Sequence, residues 1–155
     1  MKIGLIGFGK AGKAVANVIL QHTDFSLEWV LRNSEKMENL SAKDLLGISA
    51  SDSAMIYSQQ TTDLETLLTD HPVDFIIDFS NEKSIYSYGK IASQKKIKII
   101  SAISHYEENE TKFLKELSTD TVVFWSPNIT LGVNYLLYAS SLLKTIAPGV
   151  DIEVI

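Results

Sequence analysis

A glycine-rich segment near the N-terminus constrains the fold of this chain more than any other feature. Gly7, Gly9 and Gly12 form a G-x-G-x-x-G pattern, after an apolar run at residues 3–6 and before a segment with helical spacing of apolar residues. In such a strand–turn–helix unit the glycines make the tight turn, admit a pyrophosphate to the backbone and let helix and strand pack closely. The helix N-terminus adds free amides and a partial positive charge. The context therefore favours dinucleotide binding over a turn that merely contains glycines.

Short apolar runs alternate with helical patterns along the rest of the chain. The predicted strands are residues 3–6, 25–31, 55–57, 73–79, 97–100 and 122–125. The first predicted helix starts at residue 11, and the others include residues 64–68, 82–94, 113–117 and 136–146. Strands separated by helices predict βαβ units, and continuous apolar runs are typical of strands buried on both faces. We therefore predict an α/β fold, a Rossmann-type doubly wound parallel sheet with helices on both faces.

Two helix starts have the pattern of a capping box. Thr62 with Glu65, and Ser104 with Glu107, have the spacing at which a hydroxyl and a glutamate bind each other's free backbone amides. Residues 35–53 are polar, with apolar spacing only around Leu45 and Leu46, and predict no defined element.

Composition excludes several other classes of protein. The 155 residues are 45% hydrophobic and 21% charged and include no cysteine, which excludes disulfide scaffolds, thiolate zinc sites and cysteine nucleophiles. A net charge of −5 gives no indication of nucleic-acid or membrane binding. Three scattered histidines and no paired acidic cluster predict no metal site. With no apolar run of membrane-spanning length and no signal-peptide layout, we expect a cytoplasmic protein.

The end of the second predicted strand indicates which dinucleotide the chain prefers. Arg32 lies about 20 residues beyond Gly12, where an acidic residue reads a ribose 2′-hydroxyl and an arginine accommodates a 2′-phosphate. No carboxylate occupies the strand end before Glu35. This favours NADP(H) over NAD(H), with NAD(H) still possible. The alternatives are that Arg32 is a solvated surface residue and that Lys10 is a solvent-facing loop lysine rather than a charge near the phosphates.

Two later segments complete a more specific pattern. Asp78-Phe79-Ser80 closes the fourth predicted strand, and residues 126–134 read Ser-Pro-Asn-Ile-Thr-Leu-Gly-Val-Asn between a strand and a helix. With the glycine loop, they resemble the dihydrodipicolinate reductase family, which has a D-F-[S/T] strand end and a segment like [S/A]-x-N-[F/M/I]-[S/T]-x-G-V-N. Residues 126–134 are the most specific part of the match. Residues 151–155 also resemble the first strand of that family's second domain.

The resemblance implies an NAD(P)-binding Rossmann domain at residues 1–150, and at residues 151–155 the start of a missing substrate and oligomerisation domain. It implies an NAD(P)H-dependent oxidoreductase of lysine and diaminopimelate biosynthesis, which passes hydride to a cyclic unsaturated imine dicarboxylate. Asn128 is expected to face the nicotinamide. The cofactor-binding residues that the resemblance implies are Gly7, Phe8, Gly9, Lys10, Ala11, Gly12, Arg32, Phe79, Ser80, Ser101, Ala102, Ser126 and Asn128.

Two departures from the family pattern limit this expectation. Ser101-Ala102-Ile103-Ser104 stands where the family has a G-T-T-G turn beside the nicotinamide. The family's substrate-domain histidine pair and proton-donating lysine are absent, so we expect no catalytic residue in this chain and no turnover by the chain alone. For His105, a loop or capping role is favoured over a general acid. A homo-oligomer is expected for the full-length parent.

Two other functions stay open. One is a related NAD(P)-dependent dehydrogenase with another substrate, and the other is a non-catalytic nucleotide-sensing module that ends near Ile155. In each case the partner is a small-molecule dinucleotide.

Overall fold

The computed structural model describes residues 1–129, 131–151 and 153, and within these residues strands and helices alternate. In chain order the elements are β1 (Lys2–Ile6), α1 (Lys10–Gln21), β2 (Ser26–Arg32), α2 (Ala42–Leu46), β3 (Met55–Ser58), α3 (Leu64–Asp70), β4 (Phe75–Asp78), α4 (Ile85–Gln94), β5 (Lys98–Ser101), α5 (Glu108–Leu117), β6 (Val123–Trp125) and α6 (Leu131–Ile146).

The six strands form one parallel sheet in the order β3-β2-β1-β4-β5-β6. This is the order of a doubly wound dinucleotide-binding fold, and it confirms the predicted Rossmann-type sheet. From β1 the chain adds β2 and β3 on one side of the sheet and then adds β4, β5 and β6 on the other. The strand order therefore reverses at β1, which lies between β2 and β4. In register, Ile6 pairs with Asp78 and Asp78 pairs with Ser101, so the carboxyl ends of the central strands meet at one edge. Ligands of such sheets bind at this edge.

The hydrophobic core consists of two clusters, one on each face of the sheet. One cluster joins α1 and α2 to the sheet and includes Leu5, Ala16 and Ile56. The other lies under α3, α4 and α5 and includes Ile76 and Tyr88. Both faces are covered because alternate side chains of each strand point to opposite faces.

A register shift in the pairing of β1 with β2 determines the position of the Trp29 side chain. Ile3 pairs with Leu27 but Gly4 pairs with Trp29, so an extra residue of β2 bulges between them. The fully buried Trp29 ring then occupies the space above Gly4, where an added Cβ would lie 2.2 Å from Trp29 Cζ2. The indole N–H donates to the His71 carbonyl at 3.1 Å.

The capping-box predictions are both wrong in detail. At α3 the N-cap is Asp63 rather than Thr62, because the Asp63 carboxylate accepts from the Thr66 backbone N–H at 2.9 Å and from its hydroxyl at 2.6 Å. At α5 the N-cap is Glu107 rather than Ser104, and its side chain makes no capping hydrogen bond.

Helix boundaries also differ from the predicted ones. Helix α4 begins at Ile85 rather than at residue 82, and α6 begins at Leu131 rather than at residue 136. Residues 35–53 contain α2, which begins after the Ser41 cap and ends at Gly47 in a left-handed conformation, φ 66°. Ser41, Asp44 and Gly47 have the spacing of cap residues, a signal that the polarity of the segment obscured.

The C-terminal part of the chain packs differently from the rest. No side chain of α6 is buried, and Leu131 and Ile146 are largely exposed. The strand expected at residues 151–155 includes residues 152, 154 and 155, which lie outside the described residues. That strand and the domain boundary at residue 150 stay predictions.

Candidate functional site

The glycine loop joins β1 to α1 at the point where the strand order of the sheet reverses. Gly7 has φ +93°, and a Cβ added there would lie 2.7 Å from the carbonyl carbon of Phe79. A Cβ at Gly12 would lie 2.1 Å from the Gly7 carbonyl oxygen. Glycine is therefore required at both positions by the conformation and close packing of the loop itself.

Gly9 differs from its two neighbours in the motif. It is the N-cap of α1, it offers no side chain to the helix amides, and a Cβ added to it would meet no described atom within 4 Å. The first N–H groups of a helix have no partner within the helix. Gly9, Lys10 and Ala11 are exposed and leave this helix end open, as the close approach of an anion requires.

Phe8 does not share this exposure. Its side chain is buried in the cluster beneath α1, and the Lys13 ammonium lies 5.6 Å from the centre of its ring. Phe8 is only 5% exposed, so its side chain has a structural role.

Arg32 ends β2 at the same edge of the sheet. Its guanidinium donates to the Lys36 carbonyl at 2.7 Å, which holds the loop that follows the strand. Its own carbonyl accepts from the Gln59 N–H at 2.8 Å, in the loop after β3. The half-buried Arg32 thus lies at the β2 end of this edge, on the opposite side of β1 from β4.

A cleft of about 530 Å³ opens between the loops that follow β4 and β5. Its walls include Ala11, Phe79, Ser80, Ala102, Ser104 and His105. The structure thus brings together Ala11, Phe79, Ser80 and Ala102 from the predicted set. The exposed His105 lies on the same wall as Ser104.

The buried carboxylate of Asp78 supports one side of this cleft from below. It accepts hydrogen bonds from the Ser80 N–H at 2.8 Å, from the Ser80 hydroxyl and from the Tyr88 hydroxyl at 2.8 Å. Burial raises the pKa of Asp78, while these donors oppose the shift. Asp78 fixes the Phe79–Ser80 turn, and the Asp-Phe-Ser pattern was the sequence signal for it.

Ser101 supports the other side. It is fully buried, and its hydroxyl lies 2.9 Å from the Tyr106 hydroxyl, so its side chain faces away from the cleft. Burial raises the pKa of Tyr106 to about 12, which keeps this phenol protonated at neutral pH. Sequence analysis did not identify Tyr106.

Ser126 and Asn128 follow β6 and lie outside the walls of this cleft. The Ser126 N–H donates to the Ser101 carbonyl at 3.2 Å, which ties the segment to the end of β5. The Asn128 carbonyl accepts from the Asn134 side chain at 2.6 Å, across the start of α6. Thr130, within the same motif, lies outside the described residues.

An ion pair borders the cleft. Lys83, on its rim, donates to the carboxylate of Glu110 at 2.8 Å, and the Tyr86 hydroxyl donates to the same oxygen at 2.9 Å. Both hydrogen bonds hold the pKa of Glu110 well below its ordinary value, at about 2.

No helix in the described part of the chain has the length and apolarity needed to cross a membrane.

Comparison with known proteins gives consistent relatives. The sequence profile described as "Dihydrodipicolinate reductase, N-terminus" matches residues 1–129. The 4-hydroxy-tetrahydrodipicolinate reductase of Hahella chejuensis is 25% identical over 99% of this chain and 56% of its own length. That of Bartonella quintana is 27% identical, over 99% of this chain and 54% of its own length. The chain thus spans about half the length of the curated relatives that it matches over its whole extent.

Solved structures show the same fold. A dipicolinate-bound dihydrodipicolinate reductase from Paenisporosarcina sp. TG-14 superposes with a TM-score of 0.67 at 14% identity, over 93% of this chain and 53% of the other. A myo-inositol 2-dehydrogenase from Lactobacillus plantarum has a TM-score of 0.64 at 13% identity, over 93% and 42%. At these identities the likeness concerns the fold. Taken with the profile match over residues 1–129, the relatives show that the chain belongs to the dihydrodipicolinate reductase family, of which it contains the N-terminal, dinucleotide-binding part.

Proposed function

We propose that the chain binds NADPH as the cofactor domain of a 4-hydroxy-tetrahydrodipicolinate reductase. The observation that carries this proposal is the open end of α1 at Gly9, beside the cleft between the β4 and β5 loops. Membership of the family supports it. The whole protein would transfer hydride to a cyclic unsaturated imine dicarboxylate in lysine biosynthesis.

The described residues fit a dinucleotide. The pyrophosphate would lie over Gly9, Lys10 and Ala11, where the exposed helix end offers backbone N–H donors. Because the dinucleotide of such a fold crosses the sheet where the strand order reverses, its two halves would lie on opposite sides of β1. The adenosine half would lie toward Arg32, and the nicotinamide half would enter the cleft beside Phe79, Ser80 and Ala102.

The bound cofactor supplies the hydride, and the residues of this chain bind and orient it. Phe79 and Ser80 would contact the nicotinamide half, with their turn fixed by Asp78. Ser101 would contribute through its backbone, since its side chain is buried. Asn128 is proposed to face the nicotinamide from the segment after β6, with Ser126 fixing that segment on β5.

The preference for NADPH over NADH rests on Arg32. It is positioned at the end of β2, and its contact with the Lys36 carbonyl occupies only part of a guanidinium that has five N–H donors. A structural neighbour, GenD2 from gentamicin A biosynthesis, is described in complex with NAD, so the same fold also accepts the other cofactor. A related dehydrogenase with another substrate is the second candidate, favoured by Ser101-Ala102-Ile103-Ser104 in place of the family turn. The homo-oligomer and the cytoplasmic location stay predictions.

Calorimetric titration of NADPH and NADH into the chain tests the proposal. We expect tighter binding of NADPH, and a loss of about tenfold or more in NADPH affinity in Arg32→Ala, since a hydrogen bond to a charged group contributes about 1.5–3 kcal/mol. NADH affinity should change little. Lys43→Ala is the matched control, because the Lys43 ammonium also donates to a loop carbonyl, that of Ala50 at 3.1 Å, but lies in α2. Binding of neither dinucleotide by the parent chain would contradict the proposal.

A further inference from the structure

The loop of residues 102–104 forms one wall of the cleft and contains no glycine. Its backbone makes hydrogen bonds with three different residues, Asp78, Ser101 and Trp125. The Ala102 N–H donates to the Asp78 carbonyl at 2.9 Å, and the Ile103 N–H donates to the Ser101 hydroxyl at 3.4 Å. The Ile103 carbonyl accepts from the indole N–H of Trp125 at 2.8 Å.

Tyr106 and Trp125 lie together beneath this loop. Tyr106 is 4% exposed, and its ring packs edge-on against Trp125 with ring centres 5.3 Å apart. Its hydroxyl lies 2.9 Å from the Ser101 hydroxyl, which in turn accepts the Ile103 N–H. A buried hydroxyl pair of this kind is costly to break, because the remaining partner is left unsatisfied.

We propose that Tyr106 and Trp125 are positioning residues for the nicotinamide half of the dinucleotide. Together they fix the backbone of residues 102–104 as a rigid wall of the cleft. The inference rests on the proposed dinucleotide function and deepens it. Neither residue lies among the cleft walls, so both act through the backbone of Ala102 and Ile103.

The position of the pair in the sheet limits its effect to one half of the ligand. Trp125 is in β6 and Tyr106 follows β5, whereas Arg32 is in β2, beyond β1 and β4 in the strand order. The adenosine half contacts the β2 side of the switch point. Displacement of residues 102–104 should therefore weaken contacts with the nicotinamide half and leave those with the adenosine half intact.

Two ligands separate these halves experimentally. Adenosine 2′,5′-bisphosphate contains the adenosine half of NADPH without the nicotinamide. We would measure the affinity of both ligands for the parent chain and for Tyr106→Phe and Trp125→Phe. These substitutions remove the Tyr106 hydroxyl and the Trp125 indole N–H while keeping an aromatic ring. Tyr57→Phe is the matched control, because its hydroxyl lies 3.4 Å from His71 and away from the cleft.

We expect each of the two variants to bind NADPH roughly three- to tenfold more weakly, the factor expected for one neutral hydrogen bond. Their affinity for adenosine 2′,5′-bisphosphate should match that of the parent, and Tyr57→Phe should change neither. Unchanged NADPH affinity in both variants would overturn the inference. So would an equal loss for both ligands, because that is the result of general destabilisation. A parent chain that binds neither ligand would instead overturn the proposed function, and this inference with it.

Discussion

The ammonium group of Lys83 and the buried carboxylate of Glu110 lie 2.8 Å apart, and this contact joins the loop before α4 to the first turn of α5. Glu110 is 1% exposed, while the Lys83 side chain is 62% exposed. The Tyr86 hydroxyl donates to the same carboxylate oxygen, and the second oxygen of Glu110 has no hydrogen-bond partner among the described residues. The carboxylate is therefore held at one oxygen by residues of a neighbouring element.

We expect Glu110 to make folding sensitive to acid. Its two donors lower its pKa from 4.5 to about 2, so its stabilisation is complete above pH 4.5 and is lost as the pH falls toward 2. Urea unfolding at pH 7, 5 and 3 should show a smaller loss of unfolding free energy on acidification in Glu110→Gln than in the parent. Glu108→Gln, which removes an exposed pair with Lys112, is the control and should follow the parent. Parallel curves for the parent and Glu110→Gln would contradict this assignment.

Asp78 should act with the opposite sign. Burial raises its pKa above 3.8, so the folded protein favours the protonated form of Asp78 more than the unfolded chain does. The stability that this shift contributes is fully present below pH 3.8 and is lost as the pH rises through the folded pKa. In Asp78→Asn this term is absent, and the unfolding free energy should fall more steeply on acidification than in the parent. If the unfolding free energy fell equally on acidification in the two proteins, Asp78 would have the same pKa in the folded and unfolded states.

Gly12→Ala should destabilise the fold. Alanine favours a helix over glycine by about 1 kcal/mol, but the added methyl group would lie 2.1 Å from the Gly7 carbonyl oxygen. Overpacking against a fixed group costs about 1–3 kcal/mol, so the clash outweighs the helix preference. Thermal unfolding measures the result. Gly132→Ala in α6 is the control, since a Cβ there meets no described atom within 4 Å, and it should be neutral or stabilising.

Gly9→Ala should separate binding from stability. Its φ of −79° and ψ of −160° are accessible to alanine, and the methyl group would enter open space above the helix end. We expect a melting temperature close to that of the parent and NADPH affinity reduced by about tenfold or more, because a Cβ blocks the close approach of the pyrophosphate. Undiminished affinity would place the phosphates elsewhere.

The N-cap of α3 can be tested by paired substitutions. Asp63→Ala removes the carboxylate that accepts the Thr66 N–H and hydroxyl, whereas Thr62→Ala removes the residue that the sequence pattern favoured. The midpoint of urea unfolding should fall in Asp63→Ala and stay near the parental value in Thr62→Ala. The hydrogen bonds lower the pKa of Asp63, so the difference should shrink as the pH drops below 4. A larger effect of Thr62→Ala would restore the predicted capping box.

Local patterns were sufficient to predict the fold, because each strand and most helices are encoded by consecutive residues. Apolar runs identified the strands, and the glycine spacing located the turn between β1 and α1. The Lys83–Glu110 pair and the Ser101–Tyr106 contact could not be predicted in this way, because their partners come together only after separate helices and loops have packed. The prediction of the α3 N-cap failed for a related reason. Thr62 and Asp63 are both residue types that cap helices, and only the geometry of α3 distinguishes them.

The backbone contact between Gly7 and Phe79 has a mechanical consequence. Since even one methyl group does not fit between them, the glycine loop and the turn after β4 are packed backbone to backbone, and we expect them to move together. A dinucleotide spanning both would meet a surface whose spacing is set before it arrives, and little of its binding energy would be spent on ordering the protein. Any opening and closing around a bound dinucleotide would then have to come from parts of the protein outside these two loops and the wall formed by residues 102–104.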